Sequence, residues 1–415
     1  MQQTALAKRF GIIADDLTGA MDTGVGFAKL GLDTVISFEG TIRQPAAVVV
    51  VSTDSRADDP DTAYRKARRE ASKFLGMYIY KKVDSTLRGN IGTELRALMD
   101  TLGTEKAIVC PAFPANKRTV IDGRLLVDNV PVSKTCFAND PSSPVTQAHI
   151  PTLLHKQCGF QVGTVRLEEV IRGPSHIAQY IADSDHSVLV VDAAEQIHLR
   201  YLAQALALGS TTWLPCGSAG LAGELPIAFG HRSQDMTHAK SATSGKPVLL
   251  VIGSRNDATI NQLRKAEASL HLPLITVEPD QFLSKKGRAA RMNQLAREAG
   301  SLISCGKSTA IATTLSRHAP TLKDSAAGIL AAIAVKVMKR WEIGGLILSG
   351  GDIARATCEA LEVAAVRPTM ELQPGIAVGH TIGGTWEGLR IITKAGGFGN
   401  EDAIVEAVRC LEGQD

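Results

Sequence analysis

The chain has 415 residues, of which 44% are apolar and 21% charged, and its formal net charge is +3. The length suggests two domains, and the small net charge argues against a nucleic-acid-binding surface. The seven cysteines are scattered without a C-x-x-C pair, and no apolar run of about 18 residues occurs, so disulfides, zinc fingers and membrane spans are not expected. The start of the chain lacks the apolar run of a signal peptide, and we therefore expect a cytoplasmic protein without membrane or nucleic-acid partners.

Short β-branched runs alternate with helical patterns in the first half of the chain. The runs are FGIIA, TVIS, AAVVVVS, MYIYKKV, KAIVCPA, HSVLVVDAA and TTWLPCG, and helical patterns cover residues 62–74 and 92–102. This alternation predicts an α/β fold with a mostly parallel sheet flanked by helices. Residues 111–144 are rich in Pro, Asn, Asp and Gly and include the hairpin-like DGRLLVDNVPVSK, and such a long connection often builds or covers a site.

A polar stretch, RSQDMTHAKSATSGK, then interrupts the pattern. We predict a first domain over 1–232, a linker over 233–246 and a second domain over 247–415. The second half repeats the α/β alternation with PVLLVIGS, LPLITV, STAIATT, GLILSGG and RIITKAGGFG. Helices are expected from about residue 258, from about 325 to 341, from 353, and after RIITKAGGFG. Each domain is therefore predicted to be a mostly parallel sheet flanked by helices.

Polar side chains follow three of the first-half strands. Asp15 and Asp16 come directly after FGIIA, where a carboxylate can bind or deprotonate a hydroxyl or can cap the next helix. Arg56 follows the next long strand and is either a carboxylate ligand or a surface residue. After MYIYKKV comes a dense polar segment that suits an anionic, polyhydroxylated ligand or a salt-bridged loop: Asp84, Ser85, Thr86 and Arg88.

Three glycine loops follow strands in the second half: GSRND, SGGD and KAGGFGNED. Glycines allow phosphate oxygens to approach backbone N–H groups, so three such loops favour a nucleotide. The GKS at 306–308 is not a P-loop, because its glycine spacing is wrong and a strand-like run follows it. His149, His155, His176 and His380 show no metal-ligand spacing, and no metal site is predicted.

Taken together, these segments resemble the four-carbon acid sugar kinases over nearly the whole chain. The motifs that carry the resemblance are IIADDLTGAMDTG, STDSR, KKVDSTLRGNIGTEL, PAFPANKRTVIDGRLLVDNVPV, GSRND, ILSGGDIA and TKAGGFGNEDA. The resemblance implies a substrate domain followed by a nucleotide domain, with the active site in the cleft between them. It implies phosphorylation of a four-carbon sugar acid at its 4-hydroxyl with ATP and Mg²⁺. The motifs ADDLTGAMDTG and TKAGGFG resemble most the D-threonate kinase branch of the family.

The resemblance also assigns residues. It places substrate contacts on Asp15, Asp16, Arg56 and the segment from Lys82 to Arg88. It implies these nucleotide contacts: Ser254, Arg255, Ser349, Gly350, Gly351, Asp352, Ile353, Gly396, Gly397 and Gly399. Asp352 and Ile353 stand where the family often has Glu and Thr.

The mechanism that follows has Arg56, with Lys82 or Arg88, hold the substrate carboxylate, while Asp15 or Asp16 binds hydroxyls and accepts the 4-hydroxyl proton. D-erythronate or a 3-oxo-tetronate is the alternative substrate. A non-catalytic sugar-acid sensor, or an enzyme of dehydration or aldol cleavage, is the alternative from another class. A homodimer is the expected assembly.

Overall fold

The computed structural model describes residues 9–38, 46–140, 143–210, 212–231, 245–254, 256–282, 287–313 and 323–413. The chain divides into two compact units, Met1–Asp235 and Met236–Asp415. Most of the linker predicted over 233–246 lies outside the described residues.

The first unit is built on eight parallel strands in the order β2-β3-β1-β4-β11-β5-β10-β9. A small antiparallel sheet, β6-β7-β8, occupies the long connection predicted to be hairpin-like. The strands are β1 Phe10–Ala14, β2 Thr34–Ser37, β3 Val48–Ser52, β4 Tyr78–Lys82, β5 Lys106–Cys110, β6 Arg118–Ile121, β7 Arg124–Val127, β8 Val130–Pro131, β9 Val162–Val165, β10 Val188–Val191 and β11 Trp213–Gly217.

Helices connect the strands of the first unit. They are α1 Leu17–Ala28, α2 Pro60–Ala71, α3 Ile91–Leu102, α4 Ile150–Cys158, α5 Leu167–Val170, α6 Pro174–Asp183, α7 Gln196–Leu208, α8 Ala219–Ala222 and α9 Leu225–Ala228. The predicted helix over 62–74 begins two residues earlier, because the Asp59 side chain caps α2 and Pro60 occupies its first position. A short 3-10 turn over Ser72–Phe74 completes it.

Strand β1 is an internal strand of the sheet, between β3 and β4, and all five of its residues are buried. The chain runs from β1 to β2 and β3 on one side and then crosses to β4 on the other. In open parallel sheets, ligands bind beyond the carboxyl ends of the strands, where the strand order changes direction in this way. The topology therefore predicts a ligand site among the residues that follow β1, β3 and β4.

The second unit contains five parallel strands and an antiparallel pair, in the order β13-β14-β12-β15-β18-β17-β16. The strands are β12 Val248–Ile252, β13 Leu274–Val277, β14 Thr309–Thr313, β15 Gly345–Ser349, β16 Ala365–Gln373, β17 Ile376–Ile382 and β18 Arg390–Lys394. The helices are α10 Asp257–Leu270, α11 Arg288–Ser304, α12 Lys323–Met338, α13 Gly351–Ala360 and α14 Ala403–Glu412. The core lies between the sheet and helices α10 and α14.

The α/β class with mostly parallel sheets is confirmed. The GKS at 306–308 does lead into β14, as a turn. The antiparallel pair β16–β17 was not predicted, although the Pro374-Gly375 turn between two alternating runs was a signal for it. No helix in the described part of the chain is long and apolar enough to cross a membrane.

Candidate active site

The carboxyl ends of β1, β3 and β4 bring the predicted substrate residues together. Asp15 and Asp16 follow β1, Arg56 lies in the loop after β3, and Lys82 is the last residue of β4. The register pairs the end of β1 with the ends of both neighbouring strands, since Ala14 lies opposite Ser52 and Lys82. The sheet therefore assembles side chains that lie up to 67 positions apart in the sequence, from Asp15 to Lys82.

Arg56 binds both aspartates. Its Nε donates to Asp15 Oδ2 at 2.7 Å and its Nη2 donates to Asp15 Oδ1 at 3.0 Å. The same Nη2 donates to Asp16 Oδ1 at 2.7 Å. Two buried carboxylates thus neutralise this guanidinium, and its main role in the structure is to fix their positions.

A second carboxylate–guanidinium pair follows β4. Arg88 donates from Nε to Asp84 Oδ2 at 2.9 Å and from Nη2 to Asp84 Oδ1 at 3.0 Å. The Thr86 backbone N–H, at 3.2 Å, and the Thr86 hydroxyl donate to the same carboxylate. The salt-bridged loop considered from the sequence is therefore present, with Ser85 buried in its turn.

Two carboxylates of this cluster, Asp84 and Asp16, are held ionised. Burial raises the pKa of Asp84, but Arg88 and Arg56 outweigh it and hold the pKa well below the ordinary value. For Asp16, burial likewise raises the pKa, and Arg56 and Lys82 outweigh it so that the net shift is downward. Ionised carboxylates at a strand edge are acceptors suited to hydroxyl groups.

Asp16 also caps helix α1. Its Oδ1 accepts from the Gly19 backbone N–H at 2.9 Å, and the Thr18 hydroxyl donates to its Oδ2 at 2.5 Å. The capping role considered from the sequence is thus confirmed for Asp16. It fixes the carboxylate at the positive end of a 12-residue helix.

Lys82 differs from the two arginines. It is only 4% exposed, and no described residue accepts a hydrogen bond from its Nζ or pairs with it within salt-bridge distance. A Cβ built on Gly19 would lie 2.6 Å from Lys82 Nζ and 2.5 Å from Asp16 Oδ1. The ammonium therefore lies beside the first turn of α1 and close to Asp16, as a cation without a protein acceptor in the described chain.

This close approach makes Gly19→Ala informative. The added methyl must displace the ends of Asp16 and Lys82, so we expect kcat/KM to fall about tenfold or more. The free energy of unfolding should change by less than about 1 kcal/mol, because the gain of alanine over glycine in a helix is offset by disturbance of the Asp16 cap.

Gly26→Ala in the same helix is the matched control, since its Cβ would meet only the Gly223 Cα at 3.9 Å. It should retain full activity in a steady-state assay. Equal losses of activity in the two variants would show that a change in helix α1 as a whole causes the loss, and not the displacement of Asp16 and Lys82.

Lys81, the neighbour of Lys82, has a different environment. Successive side chains of a strand point to opposite faces of the sheet. Lys81 is fully buried and its Nζ lies 2.5 Å from Glu94 Oε2 on α3. The other oxygen of Glu94 accepts from the Ser55 hydroxyl at 2.9 Å. This buried ion pair ties β4 to α3 and to the loop that carries Arg56.

Residues of the long connection complete the cluster and were not among the predicted site residues. Asp140 Oδ2 accepts from Arg88 Nη1 at 3.4 Å, and the Phe137 ring lies 5.6 Å from the Arg88 guanidinium carbon. Arg118 is close enough to Asp84 and Arg88 to interact with their charges, although burial lowers its pKa. The available signal was the unusual length and polarity of residues 111–144.

In the second unit, the three glycine loops follow the adjacent strands β12, β15 and β18. Gly253 N donates to the Ser349 carbonyl at 3.2 Å, and Gly350 N donates to the Lys394 carbonyl at 3.0 Å. The loops also touch through side chains, because the Thr259 hydroxyl donates to the Gly396 carbonyl at 2.7 Å. They form one continuous edge, at which α10 and α13 begin.

This edge fits the phosphates of a nucleotide. A Cβ at Gly396 would lie 2.4 Å from Ser254 Oγ, so glycine at this position allows the loop after β18 to pack closely against the loop after β12. The Ser349 hydroxyl is buried and has no hydrogen-bond partner among the described residues. Ile353 packs its side chain against Gly253, so its contribution at this edge is packing. Arg255 lies outside the described residues.

Each unit therefore has a polar strand edge, one rich in carboxylates and cations and the other in glycine. Residues 10–225 match the sugar-binding N-terminal domain and residues 249–404 match the nucleotide-binding C-terminal domain of one family. The chain belongs to the four-carbon acid sugar kinase family and is a phosphotransferase.

Curated relatives match over nearly the whole chain. A D-threonate kinase of Salmonella typhimurium is 31% identical and covers 97% of this chain and 98% of its own. A D-erythronate kinase of Heliobacterium modesticaldum is 32% identical, with 96% of each chain covered. A D-threonate kinase of Bordetella bronchiseptica is 33% identical, with 97% of each covered.

A solved structure from Salmonella typhimurium has the same fold. Its TM-score is 0.76 at 24% identity, and the match covers 97% of this chain and 99% of that one.

Proposed function

We propose that the protein transfers the γ-phosphoryl group of ATP, as its Mg²⁺ complex, to the 4-hydroxyl of D-threonate. The observation that supports a sugar acid as acceptor is the Lys82 side chain, which is 4% exposed, lies near the ionised Asp16 and donates no hydrogen bond to any described residue. The names of the relatives support a four-carbon acid, and D-threonate and D-erythronate both occur among them.

In this proposal Lys82 holds the substrate carboxylate. Arg56 and Arg88 were the other candidates, but their Nε and Nη2 groups are committed to aspartates. An ammonium whose N–H donors are free gains charge-assisted hydrogen bonds from a bound carboxylate, whereas either guanidinium would have to give up its aspartate contacts. The hydrogen bonds of the described chain thus favour Lys82 for this role.

The aspartates bind the hydroxyls. Asp15 and Asp16 are held at the end of β1 by Arg56, and one of them accepts the proton of the 4-hydroxyl as the phosphoryl group moves. Phosphoryl transfer depends mainly on positioning and on neutralising charge, so a carboxylate of low pKa can serve as proton acceptor late in the step. The glycine loops of the second unit would hold the phosphates, and Mg²⁺ would arrive with them.

A coupled assay of ADP release tests the proposal with D-threonate, D-erythronate, their L-isomers and 3-oxo-tetronates. We expect turnover of D-threonate to exceed the others. Preference for another four-carbon acid would support the same reaction with a different substrate. Absence of turnover across the panel would overturn the substrate proposal, and nucleotide-dependent thermal stabilisation would then show whether ATP still binds.

The interdomain cleft, the homodimer and the cytoplasmic location stay predictions.

A further inference from the structure

Lys394 is a buried lysine that the proposed mechanism does not use. It ends β18 and is 1% exposed. Its Nζ donates to Thr259 Oγ1 at 3.2 Å and to the carbonyl oxygens of Ala395 and Gly396 at 3.1 Å each. Three acceptors match the three N–H donors of an ammonium, whereas a neutral amine would have only two.

These hydrogen bonds determine which way the loop presents its amides. In a trans peptide the carbonyl and the following N–H point in opposite directions. With the carbonyls of Ala395 and Gly396 turned in toward Lys394, the N–H groups of Gly396 and Gly397 are turned away from it. No described residue accepts a hydrogen bond from either N–H. Two successive amides of a turn that point the same way can donate to one anion.

We propose that Lys394 is a positioning residue that shapes the phosphate-binding loop of the second unit, without touching the nucleotide itself. The inference rests on the proposed nucleotide site and adds to it the residue that creates its anion-binding amides. Thr259 assists, because it accepts from Lys394 and its own hydroxyl donates to the Gly396 carbonyl.

The arrangement costs stability. Burial lowers the pKa of Lys394 to about 7, and no charged side chain contributes to that shift. Around it, α10 presents the Thr259 hydroxyl and the loop presents carbonyls, all of them uncharged. Because the unfolded chain binds this proton more tightly, the destabilisation is fully present below pH 7 and is relieved between about pH 7 and 10.5.

The test is Lys394→Met in the full-length protein. We expect the Kd for Mg-ADP, measured by calorimetry at pH 6.5, to rise about 10- to 100-fold. The KM of the sugar acid should stay near that of the wild type. Tm at pH 6.5 should stay close to that of the wild type, because removal of the buried charge stabilises the variant while loss of its three hydrogen bonds destabilises it. In the wild type the Kd for Mg-ADP should also increase as the pH rises above 7, because Lys394 loses its proton there. The variant has no such proton and should lack this pH dependence.

Lys265→Met is the matched control, since this lysine of α10 forms a surface pair with Asp402. It should change neither the Kd nor Tm appreciably. Thr259→Val is the second variant, in case Lys394→Met fails to fold, and should raise the Kd by a smaller factor.

Two failures are distinguishable. Wild-type affinity for Mg-ADP in both Lys394→Met and Thr259→Val would overturn the inference, while turnover by the wild type leaves the proposed function intact. Failure of the wild type itself to bind Mg-ADP would overturn the nucleotide site, and the inference with it. A lower Tm with an unchanged Kd would show a purely structural lysine.

Discussion

Replacing Lys82 with methionine should lower kcat/KM for the sugar acid by about 10²- to 10³-fold, mostly through KM. The loss is that of a charge-assisted contact in a buried site, which is worth about 2–5 kcal/mol when one partner is removed. The KM for ATP should change little. The free energy of unfolding should fall by no more than about 1 kcal/mol, because Asp16 loses one nearby cation but no hydrogen bond of Lys82 within the described chain is lost.

A substrate without the carboxylate provides the control for this prediction. Threitol keeps the hydroxyls of the acid but lacks its charge, so the wild type and Lys82→Met should phosphorylate it at similar low rates. A large loss in kcat with an unchanged KM for the acid would instead assign Lys82 to the transferred phosphoryl group. That result would contradict the carboxylate role.

Replacing Lys81 with methionine should lower the stability of the protein and leave the activity of the folded protein unchanged. Its partner Glu94 is 1% exposed and would be left as a buried carboxylate without its cation. Breaking a buried pair in this way destabilises a protein by about 3–5 kcal/mol. We expect that loss in the free energy of unfolding at pH 7–8, measured by urea denaturation, with specific activity of the folded fraction close to the wild type.

The pH dependence identifies the cause of the Lys81→Met loss. Burial already raises the pKa of Glu94, against the effect of Lys81. Without Lys81 the carboxyl should take up a proton still more readily, so the loss relative to the wild type should shrink as the pH falls toward 5. Adding Glu94→Gln should recover much of the stability at pH 8. An equal loss at all pH values would point to packing instead of the unpaired charge.

The two lysines have the same charge and adjacent positions, but they face different neighbours. Lys81 meets a carboxylate of α3, and Lys82 meets the backbone at the start of α1. Glu94 already pairs with the first, and under the proposed function the second binds the substrate carboxylate. Lys81→Met should therefore reduce stability and Lys82→Met should reduce substrate binding, although the two lysines are adjacent in the sequence.

The sequence alone determined the class of fold and the place of the candidate site. Apolar runs alternating with helical patterns require a mostly parallel sheet, and polar residues after such runs must gather at its carboxyl edge. This is why Asp15, Arg56 and Lys82 could be grouped without coordinates. The motifs likewise indicated the family, which the comparisons confirm.

The tertiary structure decided which charges are paired. Asp15 and Arg56 are 41 residues apart, and Arg88 and Asp140 are 52 apart, so no local pattern specifies that they meet. It also showed that Lys81 forms a close ion pair with Glu94, whereas Lys82 has only the charge of Asp16 near it and no ion pair among the described residues, although both end the same strand. The physical reason is that hydrogen bonds and ion pairs depend on distances of about 3 Å between side chains, which only the packing of distant elements fixes.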